Sequence, residues 1–461
     1  MFRRILVANR GEIAARVLRA CRSLGIRTVA VHSTADAASP HLKLADRTVC
    51  IGPAPAARSY LDMDAVLQAA EQTECQAVHP GYGFLAENAL FAARCEAQHL
   101  TFIGPTPRMI RLMGDKVEAR RTMRAAGIPV IPGSEGALAD AAEAARAAAG
   151  VGYPVFLKAA AGGGGKGMRR CDDETALGRG FEEASAEARA AFGDGTLYLE
   201  KAILGGRHVE FQVLCDAWGA GVHLAERECS VQRHHQKLLE EAPSPAVTPA
   251  VREAMGARVA AAASGLGYRS AGTMEFLLDG EGRLHFMEMN TRLQVEHPVT
   301  EEITGIDLVA EQIRIAAGER LSVPPGGVRI DGHAVECRIN AEDPDQDFRP
   351  SPGTITRWAM PPGARIETHA QEGYTVPPHY DSLLAKVVVK GPDRASAFAA
   401  MAEALEATAI EGIRTTLPLH RRLVRHPAIL SGRYDVGLLD APLPAAGPAR
   451  ARPSGRRAGR G

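Results

Sequence analysis

The first hundred or so residues alternate apolar runs of strand length with amphipathic runs of helix length, and few folds accept that order. "RILVAN" (4–9) reads as a short apolar strand, and "GEIAARVLRACRSLG" (11–25) has apolar residues at helical spacing and stops at Gly25. "RTVAVHS" (27–33) is the next strand, "YLDMDAVLQAAEQT" (60–73) a helix and "QAVHPG" (76–81) a strand. Strands separated by helices at this spacing pair in parallel, so residues 1–115 are expected to form a Rossmann-like α/β domain. The first strand–helix turn lacks G-x-G-x-x-G, so the fold does not imply a dinucleotide here.

The stretch "KAAAGGGGKGM" (158–168) places five glycines between positions 162 and 167. Glycine costs more ordering entropy than any other residue, roughly 0.5–1 kcal/mol relative to alanine inside a regular element. A linker is rarely this short and this bare of serine. A P-loop requires G-x-x-x-x-G-K-[ST]; here Ala160 stands five before Gly165, and Gly167 follows Lys166. Gly162, Gly164 and Gly167 spell G-x-G-x-x-G, but "MRRC" after them reads as a strand, not a helix. "YPVFLKA" before them is a strand too, so the glycines cap a hairpin. Two readings stay open on this evidence: a mobile cover whose bare N–H groups approach phosphates, or a plain mobile loop.

The bulk properties exclude several classes. Lys+Arg and Asp+Glu number 54 each among 461 residues, which leaves no net charge to grip nucleic acid or an anionic membrane. No apolar run approaches the ~20 residues of a membrane helix, and the start "MFRRILVANRGEIAARV" breaks at Asn9-Arg10 before a signal peptide forms. The 8 cysteines show no C-x-x-C spacing and read as reduced, mostly buried thiols of a cytosolic protein. A second region, 116–330, holds the glycine hairpin, with a lid portion near 131–203 that includes the helix "ALADAAEAARAAAG". "SVPPGGVRIDG" (322–332) marks the next boundary. A third region spans 331–446, and the Pro, Gly, Ala and Arg of 447–461 suit a disordered tail.

The chemistry is written most densely in "GTMEFLLDGEGRLHFMEMNTRLQVEHP" (272–298). "TMEFLL" and "RLHFMEMN" are strand-like, and "DGEG" is a hairpin turn signal. A four-residue loop over 279–282 pairs Leu278 with Arg283 and Glu275 with Phe286. Glu275, Glu288 and Asn290 then share one face, with Glu275 diagonal to Glu288 at about 7–8 Å. Two carboxylates and an amide oxygen are hard ligands that suit Mg²⁺ bridging to phosphates; the alternative is a solvated acidic face. Beyond the strand, an extended "TRLQVEHP" aims Arg292, Gln294 and Glu296 one way. Arg292 offers a bidentate fork for an oxyanion and Glu296 a general base, against the alternative of a surface ion pair. Lys116 after "LMGD", Lys158 before the glycines, Glu200 and Lys201 in "YLEKAIL", His208 in "RHVEFQV", and Gln232, His235 and Lys237 in "ECSVQRHHQK" fit a polyphosphate nucleotide site.

These residues resemble the biotin carboxylase family of the ATP-grasp superfamily over about residues 1–440. The resemblance rests on "ANRGEIA", "HPGYGFLAEN", "FIGP", "LMGDK", "GGGGKGM", "EMNTRLQVEHPVTE", "HAVECRINAEDP", "SPG" and "GYTVPPHYDSLLAK" taken together. It implies a Rossmann-like N-terminal domain, an ATP-grasp central domain with a glycine-rich lid, and an α+β C-terminal domain. It implies carboxylation of biotin by ATP and bicarbonate, with Mg²⁺ or Mn²⁺. ATP contacts are expected at Lys116, Lys158, Gly163, Gly164, Gly165, Lys166, Gly167, Met168, Glu200, Lys201, Ile203, His208, Gln232, His235, Glu275, Leu277, Met287, Glu288 and Val436. Glu275, Glu288 and Asn290 match the metal ligands. Lys237, Arg292, Gln294, the Val295 backbone and Glu296 match the bicarbonate site, and Arg338, Tyr82 and Gly83 the biotin site. Catalysis falls to Glu296, Arg338, Lys237 and Arg292. Lys166 stands where members often carry arginine; either is a cation.

No A-M-K-M-like biotinylation motif follows, so biotin is expected on a separate carrier protein, with carboxyltransferase subunits as further partners and a homodimer as the family's habit. The expected setting is cytoplasmic acetyl-CoA carboxylase and fatty acid synthesis. A propionyl-CoA or other acyl-CoA carboxylase subunit is the alternative. A different ATP-grasp carboxylate ligase is disfavoured by the Arg338 motif and "HPGYGF", and a turnover-dead regulatory subunit by the presence of Glu296, Lys237 and Arg338.

Overall fold

The computed structural model describes residues 1–160, 167–234, 236–324 and 327–440. The expected sites at Gly163, Gly164, Gly165, Lys166 and His235, and the tail from 447, lie outside the described residues.

Parallel pairing in the N-terminal region follows from strands apolar on both faces. Ile5, Leu6 and Val7 of β1 (Arg4–Val7) are all fully buried, which suits a sheet covered by helices on both sides. β1 pairs in parallel with β2 (Arg27–Ser33) and β4 (Ala77–His79), and the edges are β3 (Arg47–Gly52) and β5 (Thr101–Phe102), giving the order β3-β2-β1-β4-β5. The helices are α1 (Gly11–Ser23), α2 (Met63–Gln72), α3 (Ala89–Ala97) and α4 (Pro107–Gly114). Next, α5 (Lys116–Ala125) starts at an Asp115 cap whose carboxylate accepts from the amides of Val117 and Glu118, which fixes Lys116 at its first position.

The lid portion has its own antiparallel sheet. β6 (Val155–Ala159) lies between β7 (Arg169–Cys171) and β8 (Leu197–Lys201), backed by α6 (Ala141–Val151) and α7 (Glu174–Phe192). The β6–β7 pairing, Val155 with Cys171 and Leu157 with Arg169, is the strand–loop–strand arrangement expected around the glycines. Gly167 has φ +68°, and a Cβ there would stand 3.0 Å from the Ala159 Cβ and 3.3 Å from the Ala188 Cβ. It packs against the lid core.

The largest sheet joins the second and third regions. Its order is β13 (Leu284–Asn290), β12 (Ser270–Leu278), β9 (Arg207–Cys215), β10 (Gly221–Arg233), β11 (Gln236–Ala242), β14 (His333–Asn340), then the strands Leu383–Gly391 and Arg365–Thr368. The sequence boundary drawn near 330 therefore falls inside one hydrogen-bonded sheet. Val209, Phe211, Val213, Met274, Phe276 and Phe286 form the apolar face with α8 (Pro249–Gly265). The opposite face of β9 and β12 carries His208, Glu210, Gln212, Thr273, Glu275 and Leu277, and α9 (His297–Thr304) packs on the sheet against β10, β11 and β14. No helix among the described residues is long and apolar enough to cross a membrane.

The β12–β13 register differs from the expected one. Leu278 pairs with Leu284, Phe276 with Phe286, and, after a bulge, Glu275 with Glu288. The loop is five residues long because the Asp279 carboxylate accepts from the amides of both Glu281 and Arg283, and the Asp279 amide donates to the Arg283 carbonyl. The bulge sets two residues against one, so Glu275 faces Glu288 directly instead of diagonally.

Candidate active site

One cavity of about 1290 Å³ lies between the lid, the large sheet and the N-terminal region. Strand alternation supplies its floor: Glu275 pairs with Glu210, and Leu277 with His208, across β12 and β9. The bulge presents both Met287 and Glu288 to the cavity.

At the lid end stand two lysines. Lys116 pairs with Glu288. Lys158 donates to Glu200 Oε2 at 2.5 Å, and Arg120 lies 3.2 Å from Glu200 Oε1. Glu200 is itself buried and does not line the cavity; its side chain holds Lys158 in place. Gly167 does not line the cavity either. Met168, Lys201, Ile203, Leu277, Met287 and Val436 do, as an apolar-walled pocket beside the lysines, and Gln232 closes one side.

At the centre, Lys237 Nζ donates to three carboxylates: Glu210 at 2.6 Å, Glu275 at 3.0 Å and Glu296 at 2.7 Å. Burial alone would strip the Lys237 proton, but the three carboxylates hold its affinity well above the usual lysine range. Burial alone would likewise raise the Glu275 carboxyl; Lys237 and His208, whose Nε2 is 3.0 Å away, hold it well below. Asn290 and Gln294 each donate an amide N–H to Glu275 Oε1 at 2.8 Å. Glu275, Glu288 and Asn290 all line the cavity. Their hard-oxygen donors fit a divalent cation, with His208 and Glu210 close enough to Glu275 to share such an ion.

The segment 291–296 is not extended as the alternation of Arg292, Gln294 and Glu296 suggested. It turns, and Glu296 (φ −80°, ψ 12°) is the residue that opens α9. Turning still brings the three together, because local hydrogen bonds replace alternation. Arg292 donates to Gln294 Oε1 at 2.9 Å, to Asn290 Oδ1 at 3.0 Å and to Glu87 Oε2 at 2.8 Å. Glu296 is fully buried and does not cap its helix; its two oxygens accept from Lys237 and from Arg338, the latter at 2.9 Å. Burial would raise its carboxyl, but Lys237, Arg338 and Arg227 hold it well below the carboxylate range. Arg338, Val295, Tyr82 and Gly83 all line this end of the cavity.

Four further residues shape the site without having been singled out in the sequence. Glu87 fixes Arg292 and lies inside "HPGYGFLAEN", a visible signal. Glu210 sits two residues after His208, so alternation alone could have found it. Lys386, whose Nζ donates to the Val295 carbonyl at 2.8 Å, closes the motif "GYTVPPHYDSLLAK"; Arg227, fully buried, had no local signal.

Three family models match the chain: biotin carboxylase N-terminal domain over 1–110, carbamoyl-phosphate synthase L chain ATP binding domain over 115–323, and biotin carboxylase C-terminal domain over 336–441. A biotin carboxylase of Nostoc sp. is 54% identical over 440 residues, covering 95% of this chain and 98% of that one. One of Pseudomonas aeruginosa is 53% identical, covering 96% and 99%. Among solved structures, a biotin carboxylase-beta-gamma-ATP complex from Campylobacter jejuni superimposes with TM-score 0.93 at 45% identity, covering 95% of this chain and 99% of that one. The biotin carboxylase domain dimer of a Hydrogenobacter thermophilus 2-oxoglutarate carboxylase, in complex with MgADP, ADP and bicarbonate, gives 0.92 at 49%, covering 95% and 97%.

Proposed function

The chain belongs to the biotin carboxylase family, and from that premise we propose that it carboxylates biotin with ATP and bicarbonate. The acceptor is biotin on a carrier protein, and the reaction is the first half of acetyl-CoA carboxylase in the cytoplasm. The observation that supports this most is the meeting of Lys237 and Arg338 on the two oxygens of Glu296, in a cavity whose other end holds Lys116 and Lys158.

The nucleotide lies with its base in the apolar pocket of Ile203, Leu277, Met287 and Val436, and its phosphates toward Lys116, Lys158 and His208. Glu275, Glu288 and Asn290 would hold Mg²⁺ or Mn²⁺, which when bound neutralises phosphate charge. Arg292, Gln294 and the Val295 amide hold bicarbonate, and Lys237 sits between it and the phosphates. Glu296 takes the bicarbonate proton as the oxygen attacks the γ-phosphorus and the bond to ADP breaks. The carboxylate clamped by two cations is a weak base. Once the anions draw Lys237 and Arg338 onto themselves, its basicity returns, so the base is released by the substrates it serves.

Carboxyphosphate then divides into CO₂ and phosphate; the phosphate accepts the ureido N–H proton of biotin, and the nitrogen attacks CO₂. Arg338 stabilises the negative oxygen of the deprotonated ureido group. Closure over the site keeps water from the short-lived carboxyphosphate.

The test is ADP release. It should require bicarbonate and rise with free biotin; release indifferent to both would exclude this reading. Glu296→Gln should lower turnover by about 10²–10⁴-fold, the range of general-base catalysis, while ATP still binds by equilibrium dialysis.

A further inference from the structure

Beside Arg338, on the same face of the sheet, two carboxyl groups have no part in the mechanism above. Glu240 on β11 and Glu336 on β14 are direct register partners, and both are fully buried. Side chains so opposed have Cβ atoms about 4.5–5.5 Å apart, where like charges repel. None of their four oxygens has a hydrogen-bond partner. Arg338 lies 2.5 Å from Glu240 Oε1 without the alignment of a hydrogen bond, and Glu336 forms no ion pair among the described residues.

The surroundings define what the pair feels. Val335, Cys337 and Ile339 turn to the apolar core with Phe398 and Met401 of the helix Arg394–Ala407. Ala334 turns the other way, against Val299 and Ile303 of α9, and by alternation Glu336 and Arg338 follow it. The charged or titratable groups facing the pair are Arg338 on the same strand, Lys237 on β11, Lys386 on Leu383–Gly391, the Cys229 thiol on β10, and Glu296 where α9 begins. Glu12 of α1 stands beyond Lys386, 3.2 Å from its Nζ. His420 bonds the Arg338 carbonyl and does not touch the carboxyls. Two carboxylates so placed do not both ionise. Burial pushes the Glu240 carboxyl up to about 7 and the Glu336 carboxyl well above its ordinary range.

We propose that Glu240 and Glu336 hold one proton between them and act as a positioning pair for Arg338. Glu240 keeps the guanidinium at the cavity wall when substrate displaces it from Glu296. The shared proton keeps the ground beside it singly negative, so that its charge stays available to the oxyanion. Loss of that proton adds a second negative charge, draws Arg338 back and opposes the developing anion. This rests on the role given to Arg338 above.

Two measurements on the full chain test it. Infrared difference spectra of wild type minus Glu336→Gln should show the carbonyl band of a protonated, buried carboxyl at neutral pH; a spectrum without it overturns the pair. Kinetically, kcat/KM for free biotin in wild type should fall on the alkaline side, and in Glu336→Gln that limb should move up by about one pH unit or more; superimposed profiles overturn the pair. Glu240→Gln should raise KM for biotin about fivefold with a smaller change in kcat, and equal changes in both overturn it. If Glu336→Gln does not fold, Glu240→Gln carries the spectral test as well. The infrared band does not depend on turnover, so a chain inactive toward biotin but showing the band would sink the functional reading and leave the pair standing.

Discussion

Arg227 shows how one residue holds this site together. It is fully buried and donates to Glu210 at 2.5 Å, Gln212 at 2.8 Å, Thr300 at 2.9 Å and Thr273 at 3.1 Å. Those partners come from β9, α9 and β12, so one guanidinium fixes the floor of the cavity against the helix that Glu296 begins. Breaking a buried pair by removing one partner typically costs about 3–5 kcal/mol, because the other charge is left stranded. Arg227→Met should lower the stability of the chain by that order in urea, and adding Glu210→Gln should recover part of it. A midpoint unmoved by Arg227→Met would mean that Lys237 alone satisfies Glu210. Nothing local in "ERECSV" announces this role. A mid-strand arginine reads as solvated until the tertiary structure puts it under α9. Glu275, Glu288 and Glu296 were legible because their spacing on a hairpin and its exit segment carries geometry within a few residues.

At the scale of elements, what could be read depended on how local the cause was. The hairpin β6–β7 and the helices α1, α2 and α6 follow from periodicity and punctuation a few residues apart. The edge strand β3 is largely exposed and β5 is two residues long, so their apolar signal is weak. The register of β12 on β13 turned on a single carboxylate, Asp279, that tightens the turn, and on the bulge at Met287. Gly133 makes a similar point for the lid: it runs beside β8, and a Cβ there would stand 2.0 Å from the Leu199 carbonyl oxygen. Gly133→Ala should therefore force the entry to the lid away from β8. The expected cost is about 1–3 kcal/mol, the usual range for overpacking, with a weaker apparent affinity for ATP. Wild-type urea midpoint and ATP affinity in that variant would show that the segment shifts freely.

For the whole molecule, the N-terminal region is tied to the C-terminal one through buried charge. Arg10 donates to Asp36 at 2.7 and 2.8 Å, and its guanidinium lies 4.3 Å from the Tyr380 ring centre and 3.4 Å from the Tyr374 hydroxyl. Burial would raise the Asp36 carboxyl, but Arg10 and the Tyr60 hydroxyl hold it below its ordinary value. A carboxyl lowered in the folded state stabilises above its unfolded pKa of about 4, and that contribution disappears as pH falls through the folded value. The stability gap between wild type and Asp36→Asn should be largest near neutrality and close below about pH 4; thermal unfolding across that range checks it, and a gap independent of pH would refute the linkage. The sequence by itself determined the element types, the parallel N-terminal sheet, the family and the acidic wall of the site, since each is encoded in residues near one another along the chain. Only the tertiary structure decided the strand register, the sheet that runs through the boundary near 330, and the buried network of Arg227, Glu240, Glu336 and Lys386. Those depend on which distant side chains must share one desolvated space, where every charge needs an opposite charge or a proton.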